Sequence, residues 1–530
     1  MGKEIGIDFG TTNTVVSYFN KKGKLRQLKY KGDEIIPSAI YFYSKNEYVI
    51  GSLAKRLIIF DNQKQAGVLN FKPKIGEKEK IVVTAENGDT FSIRPREVAR
   101  LFLNEIVHGI EEKLIKEFGP IEGCIDKTVI TVPAKFNSTD KAAIKKAAKD
   151  AGFKTAKLVA EPTAAAVACQ EDMGLDEGDI QDKAILVYDF GGGTFDVSII
   201  RKEGNKFQEI ATNGDKNLGG NTLTDRLAEE LLNRINDEYG MELPFSEDEF
   251  DESYYTMPLI HYRQNMLAIW QAADVIKEEL SESAEARKVC NIWLDDGTSA
   301  MYEAEFSRNE LERYISRDVQ RTIDITIRTI EEAREMGVEN ISPIVLAGGS
   351  SNIPFVKKSL EDKLVKDEII YGDDVSTLIS RGATILAECD LADELHDGKT
   401  NVQTGIAVTS GVQYGKFQAI IPENEPLPCS KTRRFKLMHD GQQRLEIHLY
   451  ECDVKNFPKA VRIDDNGITL IDTLIIDDLP AGLQKDNTVI DVEITIQKDD
   501  TLAAVATVKD GTGNTIQSGS VSVKKESDLE

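Results

Sequence analysis

Two hydrophobic periodicities divide the chain. Up to about residue 390, short apolar runs alternate with helical patterns. Positions 127–132 read as a strand, the Lys/Ala-rich stretch 139–151 as a helix, and Ala160-Glu-Pro-Thr-Ala-Ala-Ala follows them. This first region reads as α/β. Residues 391–404 are polar, and beyond them apolar and polar positions alternate in short runs such as 444–450 and 489–496. That two-residue period predicts an antiparallel β domain with one buried face and almost no helix.

The α/β region contains one unit twice. Ile5-Gly-Ile-Asp8-Phe-Gly10-Thr11-Thr12-Asn13-Thr-Val-Val-Ser aligns without gaps on Leu186-Val-Tyr-Asp189-Phe-Gly191-Gly192-Gly193-Thr194-Phe-Asp196-Val-Ser. Each copy predicts a buried strand ending in Asp, a Gly/Thr turn and a second strand, which is a hairpin with a polar, glycine-opened tip. Two half-domains facing across a cleft would set these tips opposite one another.

Length and charge narrow the candidates. At 530 residues the chain exceeds what one core usually serves. Its net charge of −25 repels nucleic acid and anionic membrane surfaces, so neither is expected as a partner and any anionic ligand needs a local site. Cys124, Cys169, Cys290, Cys389, Cys429 and Cys452 form no C-x-x-C pair and fit scattered reduced thiols, which points to the cytoplasm. His108, His261, His396, His439 and His448 show no metal-ligand spacing. The amino terminus has no signal-peptide stretch, and no segment offers the ~20 apolar residues of a membrane helix.

At the tips, Gly10 and Gly191, Gly192 and Gly193 let backbone N–H groups approach a ligand, and Thr11, Thr12, Asn13 and Thr194 add hydrogen bonding. Such tips suit phosphates. Asp8, Asp189 and Asp196 would stand close to those phosphates, which makes sense with a hard cation such as Mg²⁺ between them, held through its waters. An isolated Asp-Phe-Gly would read as a plain turn; two aligned copies argue against that. No P-loop pattern occurs, and no G-x-G-x-x-G opens a helix after a strand. A third glycine turn, Val345-Leu-Ala-Gly348-Gly349-Ser-Ser-Asn352-Ile-Pro, follows a strand and can approach the nucleoside.

These segments, with Val132-Pro-Ala-Lys-Phe-Asn, Glu161-Pro-Thr-Ala-Ala-Ala and Asn213-Gly-Asp-Lys-Asn-Leu-Gly-Gly, occur in an order that resembles the DnaK-type chaperones of the seventy-kilodalton heat-shock family. That family lies within the actin and hexokinase superfamily of ATPases. The resemblance implies an actin-like, duplicated ribonuclease H-like ATPase domain over 1–390, a linker over 391–403, a β-sandwich peptide-binding domain over 404–525 and a tail over 526–530 with no helical lid. It implies ATP and ADP as nucleotides, with Mg²⁺ and K⁺ as the family's ions. Lys72, Glu161, Thr194 and Asp196 match its catalytic positions, and Asp274, Lys277, Ser281 and Asp373 its adenosine contacts. Asn352 stands where the family usually has an arginine stacked on adenine. The loss of that cation–π contact removes ~0.5–2 kcal/mol and implies weaker nucleotide binding.

By the same resemblance Ile406, Phe435, Leu445 and Ile447 line a groove for extended hydrophobic peptides, with Thr409 and Met438 as its arch. Unfolded peptides, a J-domain co-chaperone and a nucleotide exchange factor are the partners it implies. Only Leu395 remains of the family's leucine-rich linker, and Lys141 replaces an arginine, so a specialised chaperone or scaffold with weak interdomain coupling is the alternative reading. A small-molecule kinase has no use for a β domain with a hydrophobic groove.

Overall fold

The computed structural model describes residues 3–60, 65–119, 125–134, 136, 138–173, 184–203, 206–251, 254–364, 369–370, 375–389, 400, 403–410, 413–423, 425–452, 461–465, 468–497 and 502–522. Asp373, Leu395, Cys124, most of 391–403 and the tail lie outside them. The chain divides into two compact units, Met1–Ala134 with Ala147–Leu391, and Lys135–Lys146 with Ala392–Glu530.

The first unit is mixed α/β and is built around two sheets of like order. One runs Ala156–Ala160, Ile125–Val132, Lys3–Phe9, Asn13–Phe19, Leu25–Gln27; the other runs Ile369–Ile370, Ile341–Ala347, Ala184–Phe190, Phe195–Glu203, Lys206–Asp215. In each, an antiparallel hairpin is extended by parallel strands on the side of its first strand. The hairpins form from the two copies of the repeat, in one register: Asp8 faces Val15 and Phe9 faces Thr14, as Asp189 faces Asp196 and Phe190 faces Phe195. Their first strands are buried along most of their length, and Ile5, Ile7, Leu186 and Tyr188 are all closed to solvent. This is the pattern of strands covered on both faces.

Helices cover these sheets by presenting apolar residues at three- and four-residue spacing, as with Val98, Phe102, Ile106 and Ile110 of Pro95–Phe118. The predicted 139–151 helix runs Ser138–Asp150. A capping box starts Arg308–Glu335: Ser307 Oγ accepts from Glu310 N at 3.4 Å, and Glu310 Oε2 accepts from Ser307 N at 2.9 Å. Helix Leu378–Glu388 lies directly on the first sheet, since a methyl group on Gly6 would fall 2.2 Å from Thr384 N.

The second unit contains two four-stranded antiparallel sheets, Gln413–Ile421, Gln403–Ser410, Leu445–Cys452, Ile468–Ile476 and Cys429–Lys436, Val489–Ile496, Leu502–Lys509, Thr515–Ser522. Alternate residues of both enter one core, including Leu449, Leu474 and Ile476 from the first and Ile490, Val492, Ala504 and Val508 from the second. The alternation that predicted strands here is the alternation of core and surface.

Candidate functional site

The hairpin tips of the first unit meet. A methyl group on Gly192 would lie 2.8 Å from Thr12 Oγ1 and 3.0 Å from Thr12 Cβ, and one on Gly193 would lie 3.6 Å from Thr11 Cγ2. Glycine is what permits this approach. Each tip is tied back by neighbours that sequence reasoning missed. Ser38 Oγ donates to Gly10 O at 2.8 Å, and Ser38 N donates to Thr12 O at 2.8 Å. Ser350 Oγ donates to Gly191 O at 2.9 Å, and Gly220 N and Asn221 N donate to Gly191 O and Gly192 O at 2.9 and 2.7 Å. The only signal for these partners was that Ser350 and Gly220 fall inside the glycine-rich segments already singled out. Thr12 Oγ1 is closed to solvent and has no hydrogen-bond partner among the described residues.

Asp8 and Asp189 stand one residue before the ends of equivalent strands, beneath the tips. Burial raises both carboxyls above the usual carboxylate range, and repulsion from Glu161 raises them further; Asp189 also feels Asp8 and Asp196. Lys72 opposes this at both. Its Nζ donates to Glu161 Oε1 at 2.7 Å, with the lysine side chain 1% exposed and the glutamate 12%. Lys72 opens a short 3₁₀ turn stabilised by Pro73, and Phe71 before it is buried against Phe9 and Phe102 at ring distances of 6.1 and 5.9 Å. Glu161 is the first residue of helix Glu161–Met173. Thr131, another residue missed, donates from Oγ1 to Asp8 Oδ1 at 3.1 Å.

The third glycine turn closes on the second carboxylate. Gly348 has φ +80°, and a methyl group there would sit 2.5 Å from Asp189 Oδ1 and from Phe190 O, whereas one on Gly349 would meet none of the described residues within 4 Å. Asn352 ends the turn Gly349–Asn352. Thr194 O accepts from Gly191 N at 3.0 Å, and Asp196 stands opposite Asp189.

Asp274, Lys277 and Ser281 share one face of helix Leu259–Glu282, and the structure engages them within the protein. Lys277 Nζ donates to Thr224 Oγ1 at 2.7 Å, Asp274 Oδ1 at 2.8 Å and Gly220 O at 3.2 Å, which uses its three N–H groups. Burial pushes Asp274 up, but Lys277 beside it, together with Lys55 and the Thr224 hydroxyl, outweighs burial and leaves its carboxyl below the ordinary value. Ser281 Oγ donates to Lys277 O at 3.3 Å.

In the second unit Ile406, Leu445 and Ile447 are 4%, 8% and 6% exposed and belong to the shared core. Phe435 is partly buried against that core, Met438 is 63% exposed, and Thr409 lies in strand Gln403–Ser410. Three of the four expected groove residues are thus packed as core, while the expected arch residue Met438 stands in solvent.

Facing glycine tips, partly buried carboxylates and one buried lysine make a site able to hold a polyphosphate with its cation, carried on a duplicated α/β frame. The family described as "Hsp70 protein" matches residues 4–530, and the chain belongs to that family. It is similar to "Chaperone protein DnaK" of Thermosipho africanus (strain TCF52B), 29% identical over 455 residues that cover 84% of this chain and 69% of the relative. The same description and identity hold for the protein of Thermotoga petrophila (strain ATCC BAA-488 / DSM 13995 / JCM 10881 / RKU-1), over 458 residues covering 84% and 70%.

Proposed function

We infer that the protein is an ATP-dependent chaperone that hydrolyses ATP in its first unit and binds extended hydrophobic segments of unfolded proteins in its second. Membership of the Hsp70 family supports the activity. The like order of the two sheets and the shared hairpin register support an actin-like, ribonuclease H-like frame over 1–390. Two antiparallel sheets around one core support a β-sandwich over 404–525, joined by a linker over 391–403. No helix among the described residues is long and apolar enough to cross a membrane, and a cytoplasmic setting fits the scattered thiols.

The observation that carries the reading is the Lys72–Glu161 pair, buried among Asp8 and Asp189 under the two tips. Thr12 Oγ1, a buried hydroxyl without a partner among the described residues, and the glycines at which a side chain would fill the gap suit bound phosphate. Among the described residues no three acidic side chains are placed to ligate a metal directly, and Asp8, Asp189 and Glu161 around one lysine suit a divalent cation held through its waters. Asp8 and Asp189 would hold Mg²⁺ through its waters, and when bound it would supply charge cancellation on the phosphates.

The protein's own groups do the rest. The backbone of Gly10–Asn13 and Gly191–Thr194 cradles the phosphates, and Lys72 neutralises developing negative charge. Glu161 fixes the lysine through their 2.7 Å hydrogen bond. Thr194, Asp196 and Glu161 orient the attacking water. Lys277 and Asp274 brace Gly220 and Thr224 beneath the second tip, and Ser281, Asn352 and Asp373 complete the adenosine side. Steady-state ATP hydrolysis with and without an unfolded hydrophobic peptide tests the proposal; absence of ATP binding at millimolar nucleotide would refute it.

A further inference from the structure

The duplication permits an internal comparison that isolates one residue. Because the hairpins share a register, Asp8 corresponds to Asp189 and Val15 to Asp196. The neighbouring parallel strands extend the correspondence: Ile7 pairs with Ile130 and Tyr188 with Leu346, so Thr131 corresponds to Ala347. The frame repeats but the chemistry does not. Beside Asp8 stands a hydroxyl, that of Thr131, fully buried and donating to Oδ1 at 3.1 Å. The residue paired with Asp189 on the parallel strand is Ala347, which has no donor to offer, and the Gly348 backbone lies close to Asp189 Oδ1.

A carboxylate turns readily about its last bond, because that torsion has broad minima. A β-branched donor in a buried strand is stiff, and its hydrogen bond to a charged acceptor is stronger than a neutral one. We propose that Thr131 is a positioning residue for cation binding, pinning the Asp8 carboxylate that would face the cation's water shell, a hydrogen bond with no counterpart at Asp189 among the described residues. This rests on reading the tips as a Mg²⁺-nucleotide site.

The test is equilibrium binding of ADP to the full chain by calorimetry, across a Mg²⁺ titration and in EDTA. Thr131→Val keeps the shape and removes the donor; it should need about tenfold more Mg²⁺ for half of the Mg²⁺-dependent gain in affinity. Its ADP affinity in EDTA should stay within about twofold of wild type, and Thr131→Ser should need no more than about threefold extra Mg²⁺. A Thr131→Val protein with wild-type Mg²⁺ demand, one weakened equally in EDTA, or a Thr131→Ser protein as impaired as Thr131→Val would overturn the assignment. Should the valine variant not fold, Thr131→Ala against Thr131→Ser makes the same comparison. Wild-type ADP binding indifferent to Mg²⁺ would instead overturn the site reading itself.

Discussion

Replacing Lys72 by methionine removes a charge from a place where water cannot stand in for it. At 2.7 Å, and with an effective dielectric of about 20, the attraction between Lys72 and Glu161 is about 6 kcal/mol before desolvation is counted. Desolvation offsets much of it, and breaking a buried pair typically costs about 3–5 kcal/mol because the surviving charge is left unpaired. Here the survivors are Glu161 together with Asp8 and Asp189, all of which Lys72 partly compensates. Lys72→Met should therefore lower unfolding stability by about 3–5 kcal/mol in denaturant titrations. Loss of a preorganised positive group at the phosphates should also lower ATP turnover by about 10²–10³.

The double variant Lys72→Met/Glu161→Gln separates the two effects, since it removes both members of the pair. It should regain most of the stability and none of the turnover. A folded Lys72→Met protein that hydrolyses ATP within about threefold of wild type would remove the lysine from the mechanism. A double variant that regains turnover along with stability would show that Lys72 acts only through folding.

Other consequences follow from the same geometry. Gly348→Ala forces a side chain into a left-handed backbone position and against Asp189 and Phe190; it should cost about 1–3 kcal/mol in thermal or denaturant unfolding, and an unchanged midpoint would contradict this close approach. Asp8 is pushed up to about 7 by burial and by Glu161, and Asp189 is raised for the same reasons, so the nucleotide-free native state holds more protons than the unfolded chain. Stability of that form should fall as pH rises from the ordinary carboxylate range towards 7, and Mg²⁺-nucleotide binding should release protons, measurable by calorimetry in buffers of different ionisation enthalpy. Net proton uptake would contradict it. Leu445→Ala, in the second core, should cost about 2–5 kcal/mol, whereas Met438→Glu on the surface should shift stability by no more than about 0.5 kcal/mol while weakening peptide binding. Equal destabilisation by both would show Met438 to be packed.

What the sequence disclosed was what is local. The two hairpins were legible because strand, Asp, glycine turn and strand lie within thirteen consecutive residues of each copy, and the structure gives both copies the same register. The β unit was legible because alternation within Val489–Ile496 and its neighbours already encodes one buried face. Thr131, Ser38 and Ser350 were not legible. Each is a small hydroxyl residue of a common kind, and its importance comes from a partner distant in sequence: Asp8, Gly10 and Gly191. Lys277 was found as a position, but its bonds to Gly220 and Thr224 depend on how two helices pack. Ile406, Leu445 and Ile447 illustrate the opposite difficulty, since the same aliphatic side chains serve a core or a groove, and only the tertiary fold shows them packed into one core.

The most direct test of the account is ATP hydrolysis by the full chain at saturating nucleotide, measured with Mg²⁺ and with EDTA, beside the binding of an unfolded hydrophobic peptide to the same preparation. Slow, Mg²⁺-dependent release of phosphate and saturable peptide binding are expected. Hydrolysis that is absent with Mg²⁺ present, or that continues undiminished in EDTA, would contradict the account.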